Sequence, residues 1–583
     1  MGRIRWPVSR SRAGVAPSAE MASHPGGVAV ILRAMPNDAA ADLVLTGGRI
    51  FTADAAKTWA EALAVRGGRI VAIGGDRDVR PLVGHGTRVI ALRGRTVTPG
   101  FGDSHVHPTH AGMARLRCEL HDLRGKDADL DAVAVYAAAN PDVEWITGGG
   151  WSLSDFPGGI PARGDLDRIC PDRPVFLTNR DGHDAWVNTE ALVRAGIWKG
   201  TPDPADGRLA RDEDGTPNGT LHEGAIDLVR RLVPPPTEAD LRGAILESQR
   251  YLHSMGITNW QDASVTPADE AAYRALGDSG ELTARVVGGL WWERSEGLEQ
   301  IESLVERRAR GPAGRYRPTS VKLMCDGIIE NRTASMTEPY LDAAGRATGD
   351  RGMDFIDPEV LNEAVVRLDA LGFQPHFHVL GDRAVRQALD AVEAARLANG
   401  WSDTRPHLAH LQVIHPDDLP RFRRLGALAN AQPVWAVLED QMIELTLPVL
   451  GPEVSARQYP FRSLRRHGAT LVMGSDWSVS TPDPFLQMEV AVNRVSPEAR
   501  GTGEPFLPEE RLELIDILTA ATAGSAYAQH LDEAGVLAVG RLADLAVLDR
   551  DPFDRHAGEI GETRVAATFV EGVAVYEAPG LAG

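Results

Sequence analysis

Residues 96–108, TVTPGFGDSHVHP, run from an apolar, glycine-containing segment into two histidines separated by one residue. In a β-strand, side chains two positions apart point to the same side. His105 and His107 can therefore face one site at the carboxyl end of a strand. Imidazole is a ligand well suited to zinc, so the pair predicts a metal site at this strand end.

Seven more apolar runs follow, each with a polar residue at its carboxyl end and a helix-like stretch behind it. They are GITNWQDAS (256–264), ARVVGGLWW (284–292), SVKLMCDG (320–327), QPHFHVLGD (374–382), HLAHLQ (407–412), LANAQPVW (428–435) and TLVMGSDWS (470–478). Alternating strand and helix patterns indicate a parallel α/β arrangement. Eight such units predict an α/β fold of the (β/α)8 TIM-barrel type, whose chemistry lies where the strands end.

The barrel is expected over residues 100–534, with an interruption after its first strand. Residues from about 112 to 247 do not follow the strand–helix repeat and contain glycine-rich phrases such as GGGWSLSDFPGGIP. We expect this insertion to form a lid or a pocket wall, because long irregular segments over a rigid scaffold often carry binding residues.

Both chain ends carry short β-branched runs separated by glycine turns, at residues 42–99 and 535–583. Such runs are typical of antiparallel strands. Because both ends show the same pattern of short apolar runs and glycine turns, we predict that they pair with each other in one small β-sandwich domain. Residues 1–41 match neither pattern and are interpreted as a disordered extension, or as sequence upstream of a later start at Met21 or Met35.

The composition restricts the class of partner. The chain of 583 residues has 81 Asp and Glu against 61 Lys and Arg, a formal charge of -20. This charge repels nucleic-acid phosphates and anionic lipid headgroups, and no apolar run is long enough to span a bilayer. The three cysteines, Cys118, Cys170 and Cys325, are odd in number and far apart, which argues against a disulfide framework and favours a cytoplasmic location.

Lys322 is one of only four lysines in a chain that otherwise uses arginine. It lies among apolar neighbours, where an unpaired ammonium is costly to bury. A desolvated lysine can lose its proton and become nucleophilic, whereas arginine stays charged. Lys322 is therefore a candidate for a Schiff base or for a carbamate formed with carbon dioxide. A structural ion pair with Asp326 or another barrel carboxylate remains the alternative.

Further candidate ligands follow other strands. His376 and His378 repeat the one-residue spacing, His410 ends a strand run, and Asp476 follows the apolar run TLVM. A lone histidine in a strand is usually structural. Several at consecutive strand ends favour a metal site completed by a carboxylate.

This order of residues on a barrel resembles the amidohydrolase superfamily. The resemblance extends from about residue 41 to 576, and its phrases are TPGFGDSHVHP, DGHDAWVN, VKLMCDG, HFHVLGDRAV, HLAHLQ, GSDW and GRLADLAVLDRDP. More narrowly, these phrases are similar to the amidohydrolase family 3 group, which includes YtcJ-like proteins and N-substituted formamide deformylase.

The resemblance implies a site for one or two divalent metal ions, with zinc expected. The implied ligands are His105, His107, N6-carboxylated Lys322, His378, His410 and Asp476. His378 is preferred to His376 because it directly precedes the phrase VLGD, where the family more often has HAIGD. The implied reaction is attack of a metal-bound hydroxide on an amide or N-formyl C–N bond, with Asp476 as general acid and base.

Three polar residues are candidates for substrate binding. His183, in DGHDAWVN, is expected to donate to a substrate carbonyl. Glu223 is expected to hold an amine or to cap a helix. Arg332 is expected to meet a substrate carboxylate, or to pair with Asp326 or Glu330.

The remaining substrate-side candidates are His376, which could also orient a metal ligand, and tryptophans beside strand ends or glycine-rich phrases. An aromatic-lined cavity is expected from Trp151 and Trp435, together with Trp186, Trp292 and Trp477. Each of these tryptophans alone is more often a packing residue.

The primary prediction is a hydrolase acting on a small molecule at a non-peptide C–N bond, with no nucleic-acid or membrane partner and with a homodimer left open. An ester or lactone hydrolase, or a deaminase, on the same metals is the alternative within catalysis. A non-catalytic regulatory or binding protein that keeps the fold is the alternative from another class. The complete set of implied ligands argues against that last reading.

Overall fold

The computed structural model describes residues 40–121 and 123–580. The expectation for residues 1–41 therefore falls almost entirely outside the described residues. Within the described ranges, no helix combines the length and the apolar character that crossing a membrane requires.

The N-terminal part of the described chain is built from short strands around one short helix, α1 (Asp76–Val79). The strands are β1 (Leu43–Thr46), β2 (Arg49–Phe51), β3 (Trp59–Ala60), β4 (Ala62–Arg66), β5 (Arg69–Gly74), β6 (Arg88–Ala91) and β7 (Thr96–Pro99). The first barrel strand, β8 (Phe101–Val106), follows one residue later.

The chain between β8 and the next barrel strand forms a six-stranded mixed sheet with its own helices. The strands are β9 (Cys118–Glu119), β10 (Ile146–Trp151), β11 (Val175–Asn179), β12 (Asp184–Val187), β13 (Gly207–Arg211) and β14 (Pro217–Glu223). The helices are α2 (Pro108–Arg115), α3 (Lys126–Ala139), α4 (Arg163–Asp167), α5 (Thr189–Arg194) and α6 (Asp227–Arg230). This sheet carries the DGHDAWVN phrase.

The other seven barrel strands then alternate with helices. The strands are β15 (Ile257–Val265), β16 (Arg285–Trp291), β17 (Tyr316–Met324), β18 (Gln374–Val379), β19 (His407–His410), β20 (Leu428–Ala431) and β21 (Thr470–Met473). The helices are α7 (Glu238–Ser254), α8 (Pro267–Ser279), α9 (Gln300–Ala309), α10 (Pro358–Ala370), α11 (Asp382–Asn399), α12 (Leu419–Leu425), α13 (Leu447–Leu450), α14 (Pro452–Ser455), α15 (Phe461–Arg466), α16 (Pro484–Asn493), α17 (Leu514–Thr519) and α18 (Ser525–Ala528).

These strands form one parallel eight-stranded sheet in the order β21-β20-β19-β18-β17-β16-β15-β8. Beyond β21, the amide of Asp476 donates to the carbonyl of His105 at 2.7 Å and the amide of His107 donates to the carbonyl of Trp477 at 2.8 Å. These two hydrogen bonds join the ends of the sheet. The predicted (β/α)8 barrel with an insertion after its first strand is confirmed, and all eight predicted strand runs contain a barrel strand.

The C-terminal part of the described chain forms three strands. They are β22 (Leu545–Leu548), β23 (Val565–Val570) and β24 (Val573–Glu577). β22 pairs antiparallel with β7, so the six-stranded sheet β24-β23-β22-β7-β2-β3 contains both chain ends. It shares a hydrophobic core with the four-stranded sheet β5-β4-β1-β6. The predicted β-sandwich from both chain ends is therefore confirmed.

The barrel interior below the histidines is polar. Gln261 Nε2 donates to Ser320 Oγ at 2.8 Å and to Gln374 Oε1 at 3.1 Å. Because buried amides are costly unless hydrogen-bonded, this layer fixes three strands relative to one another directly beneath the site. The carboxyl ends of the parallel strands all open at one edge of the barrel, where the candidate ligands collect.

Candidate metal centre

Asp476 lies at the centre of the histidine cluster. Its Oδ1 is 3.2 Å from His105 Nε2 and 3.1 Å from His107 Nε2, and its Oδ2 is 3.7 Å from His410 Nδ1. Ligand atoms of Asp476 and the two β8 histidines lie within 4.8 Å of one another, as in a site that could hold one ion. The carboxyl ends of the first, sixth and eighth strands thus converge.

The strand pairing brings the other predicted ligands to the same place. Lys322 on β17 lies beside His376 on β18, and its Nζ is 3.4 Å from His105 Nε2. The rings of His378 and His410 are 4.2 Å apart, and the His410 ring is 4.8 Å from that of His105. Within the described chain, Lys322 makes no ion pair with Asp326, which instead accepts hydrogen bonds from backbone amides.

Within the described chain, two nitrogens of the site are left without a partner and could bind a metal ion. His378 Nε2 and His410 Nε2 are buried and have no hydrogen-bond partner among the described residues. Burial lowers the pKa of both imidazoles, that of His410 to about 3. Both rings are therefore neutral, which is the form that binds a metal. Buried nitrogens left unpaired are costly, so this donor set fits a divalent cation.

The pKa values of both Lys322 and Asp476 are lowered in the site, but for different reasons. Burial lowers the pKa of the Lys322 ammonium, which is 2% exposed, to about 7. Burial alone would raise the pKa of the Asp476 carboxyl, but the hydrogen bond from His107 and the other interactions with the surrounding histidines and Lys322 outweigh it, so that pKa is lowered. The site thus holds a carboxylate beside an amine that loses its proton easily.

Asp103, a residue that the sequence analysis did not single out, orients the ends of β8 and β21. Its Oδ1 accepts hydrogen bonds from the amides of His105 at 3.1 Å and Ser475 at 3.0 Å. Asp476 follows with a positive φ of 59°, a strained conformation that persists where surrounding contacts enforce it. In the sequence, the sign of this role is the position of Asp103 two residues before His105, in the phrase DSH.

His376 lies beneath the ligands. It is fully buried, its Nε2 is hydrogen-bonded to His105 Nδ1 at 2.9 Å, and its ring is 3.9 Å from that of His407. A second histidine on the far nitrogen of a candidate ligand fixes the orientation of that ligand. His376 is therefore placed to orient His105, and its fully buried side chain offers a substrate no surface.

His183 and Glu223 form a buried pair next to the histidine cluster. His183 Nδ1 is 2.9 Å from Glu223 Oε1, which also accepts a hydrogen bond from Thr333 Oγ1 at 2.7 Å. The His183 ring is 5.3 Å from that of His378. The insertion therefore brings His183 to the edge of the metal centre, and Glu223 makes no side-chain helix cap.

Burial alone would lower the pKa of His183, but the adjacent Glu223 carboxylate and then Asp181 outweigh it and raise that pKa to about 9. The pKa of Glu223 is lowered in turn, because its contacts with His183 and Thr333 exceed the effect of burial. At neutral pH the pair is an imidazolium and a carboxylate. Since Nδ1 is held by Glu223, Nε2 is the free donor.

The prediction that five tryptophans line an aromatic cavity is wrong for three of them. Trp151, Trp186 and Trp292 are fully buried in hydrophobic cores, and Trp151 Nε1 donates to the carbonyl of Leu177 at 3.0 Å. A side chain without exposed surface cannot contact a substrate. Trp435 is only partly buried, and Trp477 directly follows Asp476.

Arg332 lines a cavity of about 530 Å³ between the insertion and barrel loops, and none of the six candidate metal ligands lines that cavity. The cavity is also lined by the carboxylates of Asp184, Glu330, Asp342 and Glu444. Glu330 accepts a hydrogen bond from Thr446 Oγ1 at 2.5 Å. Arg332 pairs with neither Asp326 nor Glu330 in the described structure.

A family model described as amidohydrolase family matches residues 88–576. Among curated proteins, the chain is 31% identical over 553 residues to the protein LONG AFTER FAR-RED 3 of Arabidopsis thaliana, covering 93% of this chain and 92% of that protein. It is 28% identical over 555 residues to the N-substituted formamide deformylase of Arthrobacter pascens, covering 92% and 99%.

Among solved structures, the chain is similar to an uncharacterized metal-dependent hydrolase of Pyrococcus furiosus. The TM-score is 0.68 at 26% identity, with 88% of this chain and all of that chain covered. The range that the family model matches, residues 88–576, contains His105, His107, Lys322 and Asp476. Together with the geometry of the site, these similarities show that the chain belongs to the amidohydrolase family, as a metal-dependent hydrolase of non-peptide carbon–nitrogen bonds.

Proposed function

We propose that the protein hydrolyses an amide or N-formyl bond of a small molecule, with Asp476 as general acid and base. The observation that carries this proposal is the position of the buried Asp476 carboxylate, 3.2 Å from the buried His105 imidazole on β8 and 3.1 Å from that of His107, the residue after β8. A carboxylate in this place would be able to contact a metal ion held by these imidazoles and to accept a proton from the water that such an ion activates.

The proposed ligands are His105, His107, Lys322, His378, His410 and Asp476, holding one or two divalent ions, with zinc as the proposed metal. Such ions lower the pKa of a bound water toward neutrality and polarise a carbonyl. Lys322 is proposed to be N6-carboxylated. Its complete burial among ligand nitrogens supports this, because a neutral amine is the form that captures carbon dioxide and the resulting carbamate supplies anionic oxygens.

The residues of the site then have defined roles in the proposed reaction. Asp476 takes a proton from the water and delivers it to the departing nitrogen, since an amide anion is a poor leaving group. His183, held by Glu223, donates from Nε2 to the substrate carbonyl oxygen and favours the charge that develops there. His376 keeps the His105 ring oriented through its 2.9 Å hydrogen bond.

The test is metal analysis of the purified protein, followed by a screen of N-formyl amines, N-acyl amino acids, cyclic ureides and esters after reconstitution with zinc and bicarbonate. Turnover of amides with bound metal is expected. Turnover of esters or lactones alone, or release of ammonia from an amidine, would replace the amide assignment. A protein that binds no metal and turns over none of these compounds would contradict catalysis.

A cytoplasmic location is part of the proposal and is supported by three cysteines that are all buried and unpaired. The homodimer stays a prediction, which size-exclusion chromatography with light scattering would test.

A further inference from the structure

The inserted sheet carries a second pair of a histidine and a carboxylate, directly beside the pair at the metal centre. Asp184 is the residue after His183, and His222 is the residue before Glu223. Asp184 and His222 are register partners on β12 and β14, and His222 Nδ1 is hydrogen-bonded to Asp184 Oδ1. Because successive residues of a strand point to opposite faces, this second pair points away from the metal centre.

The second pair lines the cavity of about 530 Å³ between the insertion and the barrel loops, which neither His183 nor Glu223 lines. The Asp184 side chain is 0% exposed, and its Oδ2 is buried without a partner in the described chain. The His222 side chain is 8% exposed, and its Nε2 makes no hydrogen bond to a described residue. The carboxylate therefore fixes the ring and leaves Nε2 available to a molecule in the cavity.

Two other charged residues of the lining are neutralised by partners outside the cavity. Arg211 Nη2 lies 3.2 Å from Asp203 Oδ1 and donates to the carbonyl of Thr201 at 2.6 Å. Asp342 Oδ2 lies 2.8 Å from Arg346 Nη2. Neither of these groups requires a charge from a ligand.

Four further charges of the lining have no ion pair with a described residue. They are Arg208, Arg332, Glu330 and Glu444. Arg208 donates only to the carbonyl of Asn331, and Glu330 accepts a hydrogen bond from Thr446 Oγ1 at 2.5 Å. Arg332 has no hydrogen-bond partner among the described residues. Two cations and two anions without counter-charges match a ligand that carries one charge of each sign.

The rest of the wall is mainly aliphatic. Its larger apolar side chains are Leu153, Ile160, Leu341, Leu445 and Val449. The cavity volume of about 530 Å³ lies within the range of about 300–1,000 Å³ that is usual for small-molecule sites. The wall therefore offers an apolar surface beside the charged groups.

We propose that this cavity is a second small-molecule site, separate from the metal centre, which binds a free α-amino acid with an aliphatic side chain. Arg208 and Arg332 hold the carboxylate, because guanidinium groups form charge-assisted hydrogen bonds with carboxylates. Glu330 and Glu444 hold the ammonium group. A ligand with only one charge would leave two like charges of the lining uncompensated. The inference goes beyond the proposed hydrolysis and does not depend on it.

The test is isothermal titration calorimetry on the metal-loaded full-length protein. The probes are L-leucine, 3-methylbutylamine, which lacks the carboxylate, and 4-methylpentanoate, which lacks the ammonium group. L-leucine is expected to bind at least roughly 10-fold more tightly than either analogue. Metal content and thermal unfolding of each variant show that it is folded.

Arg332→Gln is expected to weaken the binding of L-leucine roughly 10- to 100-fold and to remove its advantage over 3-methylbutylamine. Glu444→Gln, at an exposed residue whose change does not endanger the fold, is expected to remove the advantage over 4-methylpentanoate. Arg351→Gln, at an exposed arginine that does not line the cavity, is the matched control and should bind L-leucine as the wild type does.

Absence of L-leucine binding, or equal affinities for the three probes, would overturn the site. Binding that is unaffected by both Arg332→Gln and Glu444→Gln but is lost when the metal is removed would place the amino acid at the metal centre instead. Because the measurement needs no turnover, a protein that binds L-leucine as expected and hydrolyses no amide would support the second site while contradicting the proposed function.

Discussion

The backbone amide of Asp476 donates a hydrogen bond to the carbonyl of His105 at 2.7 Å. The contact joins the end of β21 to β8, the first and last strands of the barrel. The carboxylate proposed for proton transfer and the first of the paired histidines are therefore positioned by one of the two hydrogen bonds that join the ends of the barrel sheet. Closing the barrel therefore also brings Asp476 and His105 together in the site.

Replacing Asp476 with Asn should remove proton transfer while leaving most candidate ligands in place. We expect kcat to fall by roughly 10²- to 10⁴-fold, with much of the metal still bound through the histidines. Steady-state kinetics and elemental analysis of the same sample measure both. Asp417→Asn, at a side chain that is 84% exposed, is the control, and retained activity in Asp476→Asn would refute the assigned role.

Lys322→Arg should eliminate carboxylation, because a guanidinium stays protonated and does not capture carbon dioxide. We expect less metal per chain and loss of activity. With ¹³C-bicarbonate, the wild type should also show a carbamate NMR signal that the variant lacks. Lys199→Arg, which changes a lysine that is 60% exposed, should behave as the wild type. Equal metal content and activity in Lys322→Arg would exclude a carboxylated lysine.

Glu223→Gln should change the pH dependence of activity. In the wild type the pKa of His183 is raised from 6.5 to about 9, so the protonated donor should persist until the pH approaches 9 and be lost above it. Stabilisation of the fold by the pair is complete below 6.5 and is lost as the pH rises through about 9. Without the carboxylate, the alkaline limb of the kcat profile should move to lower pH.

The matched control for this profile is Glu213→Gln, an exposed residue of the same insertion. An alkaline limb that stays in place in Glu223→Gln, with His183 still present, would show that His183 is not the donor.

Asp544→Ala should destabilise the contact between barrel and sandwich. The side chains of Asp544, next to β22, and Arg285, the first residue of β16, form an ion pair at 2% and 8% exposure. Arg285 also pairs with Glu571, so loss of the Asp544 carboxylate alone should lower the free energy of unfolding by about 1–3 kcal/mol, measured by chemical denaturation. Glu533→Gln, which removes an exposed pair with Arg69, should leave it unchanged, and an unchanged value in Asp544→Ala would refute the coupling.

Much of the architecture was predictable because it is encoded in local patterns. Each barrel strand is a short apolar run bounded by turn residues, and a parallel sheet requires every such strand to end at the same edge. The histidine pair of β8, Lys322 and Asp476 each stand at a strand end, and the structure brings them together as the patterns implied.

Contacts between distant segments were less predictable. The pairing of His183 with Glu223 joins residues 40 positions apart on a sheet whose strand order is not sequential. Trp151 was expected at a pocket and lies in a core instead, because a glycine-rich neighbourhood does not reveal which face of a strand is covered.

The sequence by itself determined the barrel, its insertion, the sandwich of both chain ends and the residue types available as ligands, because periodicity and strand-end chemistry are local properties. Only the tertiary structure decided which of those residues share a site. His376 became a support for His105, and His183 acquired a carboxylate partner. The physical reason is that hydrogen bonding and desolvation depend on distances across the fold, which no local pattern contains.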